Sequence, residues 1–393
     1  MEQIGWSPRL ETQFDKVFIH RDSWNSPVAR RARKIFAADK VEQVDHTPLS
    51  EPGDHLSADE FNRSKRLLYL TEYKGRFFKR CPGARPGLAC CNYFVLNLGL
   101  QCDMNCTYCY LQSFLNTPLL TIYTNMEQAL REMAEFLDEQ PDMNLRIGTG
   151  ETVDSLSLDD LTLYSRELIA FFRRAPHWRL ELKTKSSKVD QFLDMDHAGN
   201  VIVSWSLNPQ HVIDQEEFDT ASLQKRLQAA RKCRDKGYLL TFHLDPLIFH
   251  PGWQENYKGL VEEITKWFTP NEVLTISLGA LRFQPEQRHI MRERFGLKSY
   301  VTQAEMFRSH DGKFRYDLDM RRTMFDFVLN EFRRQGEGWN LFLCMETRES
   351  WMGAMTGMPK SVPGLDEYFD HRALRAFRQH RQQSDLLEGR TTR

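Results

Sequence analysis

Eight cysteines are unevenly spread along the chain, and six lie between positions 81 and 109: Cys81, Cys90, Cys91, Cys102, Cys106 and Cys109. Three of these form a C-x3-C-x2-C array in Gln101-Cys102-Asp103-Met104-Asn105-Cys106-Thr107-Tyr108-Cys109-Tyr110. In a reducing compartment, thiolates this close on one loop converge on a metal more readily than they pair as disulfides. Structural zinc takes four protein ligands, commonly as two C-x2-4-C units set some way apart. Three cysteines instead match three irons of a [4Fe–4S] cube and leave the fourth iron open to another ligand. The spacing favours iron–sulfur, with zinc as the alternative.

The elements around the array must hold it. Asn92–Leu100 is rich in β-branched and aromatic residues and reads as a strand ending at the cysteine loop; Met126–Gln140 reads as a helix. Further strands are predicted at Asn144–Gly148, Arg179–Lys185, Asn200–Asn208, Leu239–Leu247 and Val273–Phe283, with helices at Asp159–Arg174, Phe218–Lys236, Tyr257–Phe268 and Leu318–Gln335. This alternation argues for an α/β chain with a parallel sheet. An open doubly wound sheet and a barrel fit it equally well.

A strand-end C-x3-C-x-aromatic-C loop resembles the cluster loop of the radical S-adenosylmethionine (SAM) enzymes. In those enzymes the open iron chelates the cofactor's amino and carboxylate groups, and one electron cleaves the sulfonium to a 5′-deoxyadenosyl radical. The resemblance implies a partial (β/α)6 TIM-like barrel with its chemistry at the strand C-terminal ends. It makes Cys102, Cys106 and Cys109 the cluster ligands. Gly148-Thr149-Gly150-Glu151 looks like the turn that holds the methionyl amine, with Glu151 offering a carboxylate to the ammonium. Lys185, Ser206 and Asn208, at the exits of the third and fourth strands, are candidates for the cofactor carboxylate and ribose.

Within that superfamily the chain resembles the spore photoproduct lyases, which revert a thymine–thymine UV lesion in DNA. The match includes Tyr108 and Tyr110 in C-x3-C-x-Y-C-Y, then Leu111-Gln112, Ile122–Asn125, and Ile248-Phe249-His250-Pro251-Gly252-Trp253 with Tyr257. It implies radical transfer through Tyr108 and Tyr110, hydrogen abstraction from C6 of the lesion, and cleavage of its methylene bridge. An electron donor such as flavodoxin or ferredoxin is implied too. Glu60–Lys65, with Arg63 and Lys65, resembles the lyases' basic N-terminal segment. His310–Phe314 falls where they place a DNA-entering hairpin, with Lys313 and Phe314 for its Arg-Tyr pair. One departure stands out. The hydrogen-donating cysteine expected just before the cofactor turn is missing, since no cysteine occurs between Tyr110 and Lys232. Tyr108, Tyr110, Cys90, Cys91 and Cys344 are the substitutes to consider, unless the substrate needs none.

Composition narrows the remaining choices. With 393 residues, 41% apolar and 12% aromatic, the chain can build a large core, so wholesale disorder is excluded. No apolar run approaches the roughly 18 residues of a membrane span, and Met1–Gln13 carries charges, so a cytoplasmic protein with no membrane partner is expected. A net charge of −1 gives no global case for a polyanion partner. Locally, residues 61–80 hold seven Lys/Arg against one Glu, interleaved with Phe61, Tyr69, Tyr73, Phe77 and Phe78; Arg30–Lys34 and 372–393 are also basic. Basic groups with aromatics suit phosphate contact and base stacking, which makes damaged DNA the expected partner. Among the other cysteines, Cys90 and Cys91 read as buried small residues, with a second metal site or a catalytic thiol as alternatives, and Cys233 as core. His243 and His250 lie near strand ends. The chain divides into a basic N-terminal extension at 1–80, whose first 50 residues read as a loose lead-in, a barrel at 81–285, and a C-terminal hairpin and helices at 286–393. The rival functions are a radical enzyme acting on another nucleic acid or a peptide, a zinc-holding nucleic-acid binder, and an iron–sulfur redox sensor.

Overall fold

Strands covered on both faces carry nearly continuous apolar runs, and those runs set the architecture. The computed structural model describes residues 8–48, 57–81, 93–115, 117, 119–346 and 350. Six parallel strands form the barrel wall in chain order: β1 (Phe94–Leu96), β2 (Leu145–Gly148), β3 (Trp178–Thr184), β4 (Val201–Ser206), β5 (Leu239–Leu247) and β6 (Thr275–Ala280). Every residue of β4 and β6 is buried. A seventh parallel strand, β7 (Leu341–Leu343), pairs with β6, and Phe78–Arg80 runs antiparallel along the free side of β1. The sheet is the partial barrel that the sequence implies, widened by one short strand at each edge. Outward residues pack on helices such as Leu223–Asp235 and Trp253–Trp267, while inward residues are largely polar.

Several boundaries move for local reasons. The predicted helix 218–236 starts at Leu223, where Ser222 caps it by accepting from the Lys225 N–H. Glu217–Phe218 is instead a strand paired with Asn105–Cys106 of the cysteine loop. The helix predicted at 159–174 breaks at Leu163, which sits in the left-handed region at φ 53°. Gly99–Leu100 and Arg282–Phe283 leave the barrel for other sheets.

The predicted loose lead-in over the first 50 residues is not what forms across residues 8–48. Val41–Val44, Lys16–His20, Leu67–Thr71 and Leu120–Tyr123 form a second parallel sheet in that order, closed by antiparallel Gly99–Leu100. Two of the prolines in this stretch, Pro8 and Pro27, stand at helix starts. Pro27 opens Pro27–Ile35 behind a Ser26 cap, where its missing N–H costs nothing. Phe14, Val17, Ile19, Val28 and Ala32 are fully buried in this unit. Arg31 fastens it to the barrel by donating to the carbonyls of Leu161 (2.6 Å) and Thr162, and Arg33 donates to the Trp24 carbonyl and lies 4.4 Å from its ring. That basic cluster therefore spends two of its charges on packing. Among the described residues no helix is long and apolar enough to cross a membrane.

Candidate active site

The cysteine loop leaves the barrel wall through Gln101, in the left-handed region at φ 68°, and is gripped from several sides. Lys65 donates to the carbonyls of Cys102 (3.0 Å) and Met104 (2.6 Å). Arg294 donates to Asn105 (2.6 Å), Gln112 (2.7 Å) and Asn62 (2.9 Å), with its guanidinium 4.1 Å from the Phe61 ring. Gln287 donates to the carbonyls of Tyr108 (3.0 Å) and Cys109 (3.1 Å). None of the three thiols is in a disulfide. Burial drives the Cys102 thiol well up and the Cys106 thiol to about 12, against the pull of Lys185 on Cys106. Thiols in that state become thiolates when a metal supplies the opposing charge. Among the described residues no three His, Cys, Asp or Glu side chains draw in around the space of a single ion. The donor set fits the three corners of a four-iron cube.

Both tyrosines are fixed by this region. The Tyr108 hydroxyl donates to Glu217, which also accepts from Asn208 (2.8 Å) and from Arg226 (2.7 Å), a pair with no solvent exposure on either side chain. Burial opposes the Glu217 charge, but Arg226 and Lys185 outweigh it and hold the carboxyl at about 2. The Lys185 ammonium stands 5.6 Å from the centre of the Tyr108 ring. The Tyr110 hydroxyl donates to the Glu151 carbonyl at 2.6 Å, tying the cysteine loop to the cofactor turn. Glu217 falls just before the predicted helix 218–236 and Arg226 inside it, and nothing in their sequence marks them as a buried pair.

At the turn, one Glu151 carboxylate oxygen is buried without a hydrogen-bond partner, and burial raises its pKa. An unsatisfied buried carboxylate suits an incoming ammonium. Packing alone already demands both glycines. A Cβ on Gly148 would strike the Tyr93 ring, and one on Gly150 would sit 3.0–3.1 Å from Lys183 and Ser155. Asn208 is likewise not available to a ribose, because it is 1% exposed and held by Glu217 and by Tyr257 (3.2 Å). Ser206 is buried at the end of β4, with its carbonyl accepting from Arg226.

Below the turn, inward side chains form a polar lumen. Glu181 accepts from Ser204 (2.8 Å), meets His243 Nε2 at 3.0 Å and pairs with Arg146 at 3.4 Å. His243 Nδ1 lies 2.6 Å from Ser277 Oγ. Burial, helped by the Lys183 charge, depresses His243 to about 4, so it is neutral at neutral pH. Arg282 holds Asp245 through two bonds of 2.9 and 3.0 Å. His250 lies outside this lumen, buried between the Ile248 carbonyl and Asn256.

The residues expected to meet DNA separate into two groups. Lys65 braces the cysteine loop and is withdrawn from the DNA contacts, whereas Arg63 is exposed on its helix. The interleaved aromatics are core rather than stacking platforms: Phe61, Tyr69, Phe77 and Phe78 are buried, and Tyr73 stacks on Tyr123 at 4.4 Å. A hairpin does form, from Phe307–Arg308 and Phe314–Arg315, turning at Gly312 (φ 84°) with Lys313 beside it. Phe314 packs against Phe283 (6.0 Å) and under Arg288 (5.1 Å), so the ring left exposed is Phe307, next to exposed Arg308. Of the substitute hydrogen donors, Cys344 is half-buried just past β7, and Cys90 and Cys91 lie outside the described residues, as does 372–393. Cys233 is fully buried in its helix.

The family model described as spore photoproduct lyase matches residues 16–321. The chain belongs to the spore photoproduct lyase family. It is 31% identical to the spore photoproduct lyase of Geobacillus sp. over 286 residues, 71% of this chain and 82% of that protein. The lyase of Clostridium acetobutylicum is 21% identical over 333 residues, 82% and 96% of the two chains. A solved structure of spore photoproduct lyase complexed with dinucleoside spore photoproduct shares the fold, with a TM-score of 0.72 at 21% identity over 84% of this chain and 99% of that one. Membership makes the protein a radical SAM lyase whose cofactors are a [4Fe–4S] cluster and SAM. The zinc-binder and redox-sensor readings give way to it.

Proposed function

We propose that this chain reverts a thymine–thymine photoproduct in DNA at the mouth of its barrel, with Cys102, Cys106 and Cys109 holding the cluster and Glu151 the methionyl ammonium. The observation that carries the reading is the convergence there of three unpaired thiols, an unsatisfied buried carboxylate and a tyrosine that bonds one segment to the other. When bound, the cofactor pair supplies hydrogen-atom abstraction at that mouth. The chain's own part is to hold and to exclude. Lys185 offers a cation beside Tyr108 for the cofactor carboxylate. Glu217, kept charged by Arg226, accepts the Tyr108 hydroxyl proton and positions that ring for radical transfer. Tyr110, 40% exposed, faces the mouth as the second candidate.

A damaged, poorly stacked base is the least costly to extrude from a helix, and the exposed hairpin supplies a ring and cations for that step. Phe307 and Arg308, with Lys313 and Arg63, are the proposed DNA contacts. Solved relatives are described with bound AdoMet and with dinucleoside spore photoproduct, which supports the same ligands here. Flavodoxin or ferredoxin is the proposed electron source. The test is to incubate reconstituted, reduced protein with SAM and an oligonucleotide carrying the spore photoproduct. Restored thymine together with 5′-deoxyadenosine is expected. Deoxyadenosine without repair would move the substrate elsewhere.

A further inference from the structure

We propose that Lys183 binds the phosphodiester that links the two damaged thymines, so that the lumen reads the lesion as a dinucleotide rather than as two joined bases. The inference rests on the photoproduct-repair reading above. Side chains two apart on a strand share a face, so Glu181, Lys183 and Lys185 of β3 and its exit all point into the barrel. Glu181 is committed to Arg146, His243 and Ser204. Lys185 stands over Tyr108 and is influenced by Glu217 and Cys106. Lys183, between them, has neither a hydrogen bond nor an ion pair on its ammonium among the described residues, although it is half-buried.

Its location is defined from two sides. The stem passes beneath the cofactor turn, where a Cβ on Gly150 would come within 3.1 Å of the Lys183 Cβ. Its charge is felt across the lumen by His243 and Asp245 of β5. Both of those groups already have partners, His243 in Glu181 and Ser277, Asp245 in Arg282. Among the described residues Lys183 therefore stands as an ammonium without a direct partner in a polar lumen where Glu181, His243 and Asp245 are already engaged.

A partly desolvated ammonium without a counter-ion is costly, and an anionic ligand removes that cost. A lysine ammonium is a compact point charge with three donors, well suited to a phosphate oxygen. On a thymine–thymine lesion the bases are neutral near pH 7, and the linking phosphodiester carries the one negative charge. A lesion drawn to the cofactor turn brings that phosphate with it. The cofactor carboxylate is the competing anion, and Lys185, beside Tyr108 and Cys106, is the better placed of the two lysines to meet it.

The experiment titrates the reconstituted holoenzyme with SAM bound, by calorimetry, against two probes: the spore-photoproduct dinucleotide with its linking phosphate, and the dinucleoside without it. The wild type is expected to prefer the dinucleotide by about tenfold, the size of one charge-assisted hydrogen bond. Lys183→Gln should bind both probes equally, with the wild-type affinity for the dinucleoside, and Lys183→Arg should keep most of the preference. Equal binding of the two probes by the wild type, or an unchanged preference in K183Q, would overturn the assignment while leaving the repair reading intact. So would K183Q weakening both probes alike, as a packing defect would, or weakening SAM instead. A wild type that binds neither probe and repairs no photoproduct oligonucleotide would overturn the repair reading and this proposal together.

Discussion

The cysteine loop and the hairpin at Phe307–Arg315 are both short excursions at one barrel, built in opposite ways. The loop is held through buried or half-buried bonds from Lys65, from Gln287 and Arg294 of one helix, and from the Glu217 strand, which reach it from three separate parts of the chain. The hairpin hangs on two-residue strands and one internal ion pair, Asp311 with Arg315, and leaves Phe307 53% exposed. Chemistry that must place reacting atoms is over-determined by packing, while a surface that must meet a deformable helix keeps its ring and charge free. The loop should therefore respond to mutation through assembly and stability, and the exposed edge of the hairpin at Phe307 and Arg308 through affinity alone.

Four measurements sharpen or break that contrast. Cys106→Ala has the largest effect expected: reconstituted protein loses its brown colour and cluster iron, and 5′-deoxyadenosine production falls to background. Glu217→Gln leaves Arg226 buried without its counter-charge, which should cost about 3–5 kcal/mol in urea unfolding, and a further Arg226→Met change should restore part of it. His243 provides a pH test of the lumen. Its folded-state pKa of about 4 lies below the unfolded value, so the unfolded chain binds more protons between pH 6.5 and 4. Stability should therefore fall by up to about 3 kcal/mol as pH drops through that window, with Glu181 still charged, and His243→Gln should flatten the slope. The hairpin pair gives the smallest shifts. Phe307→Ala should weaken DNA binding by about tenfold with Tm unchanged, and Phe314→Ala should cost about 1–2 kcal/mol of stability with affinity nearly unchanged. An equal effect of both on affinity would erase the distinction.

How much of this was legible in the sequence follows the same division. The cysteine array and the six barrel strands were readable because spacing and apolar periodicity mark them, whereas Tyr108, Tyr110, Glu151 and Lys185 were singled out by the family resemblance, and the fold brings them beside the cysteine loop. Lys65 and Phe314 were misassigned, since composition marks a residue as basic or aromatic but not which partner claims it. Glu217 was missed because a two-residue strand has no periodic signature, and Arg226 because a basic residue in a helix does not announce a buried partner. The N-terminal sheet was missed because its strands are four or five residues long and Pro8 and Pro27, which open helices, read as breaks in the pattern. Lys183 carried a usable signal, its alternation with Lys185, yet its lack of a partner is visible only in three dimensions.

Glu151, left unsatisfied in the buried mouth, is the proposed receptor for the methionyl ammonium. Its most direct test is equilibrium binding of SAM to reconstituted wild type and Glu151→Gln, read alongside the electron paramagnetic resonance of the reduced cluster. E151Q should keep its cluster, bind SAM at least about tenfold more weakly, and lose the cofactor-induced change in the spectrum. Wild-type affinity with an unaltered spectral response in E151Q would contradict it.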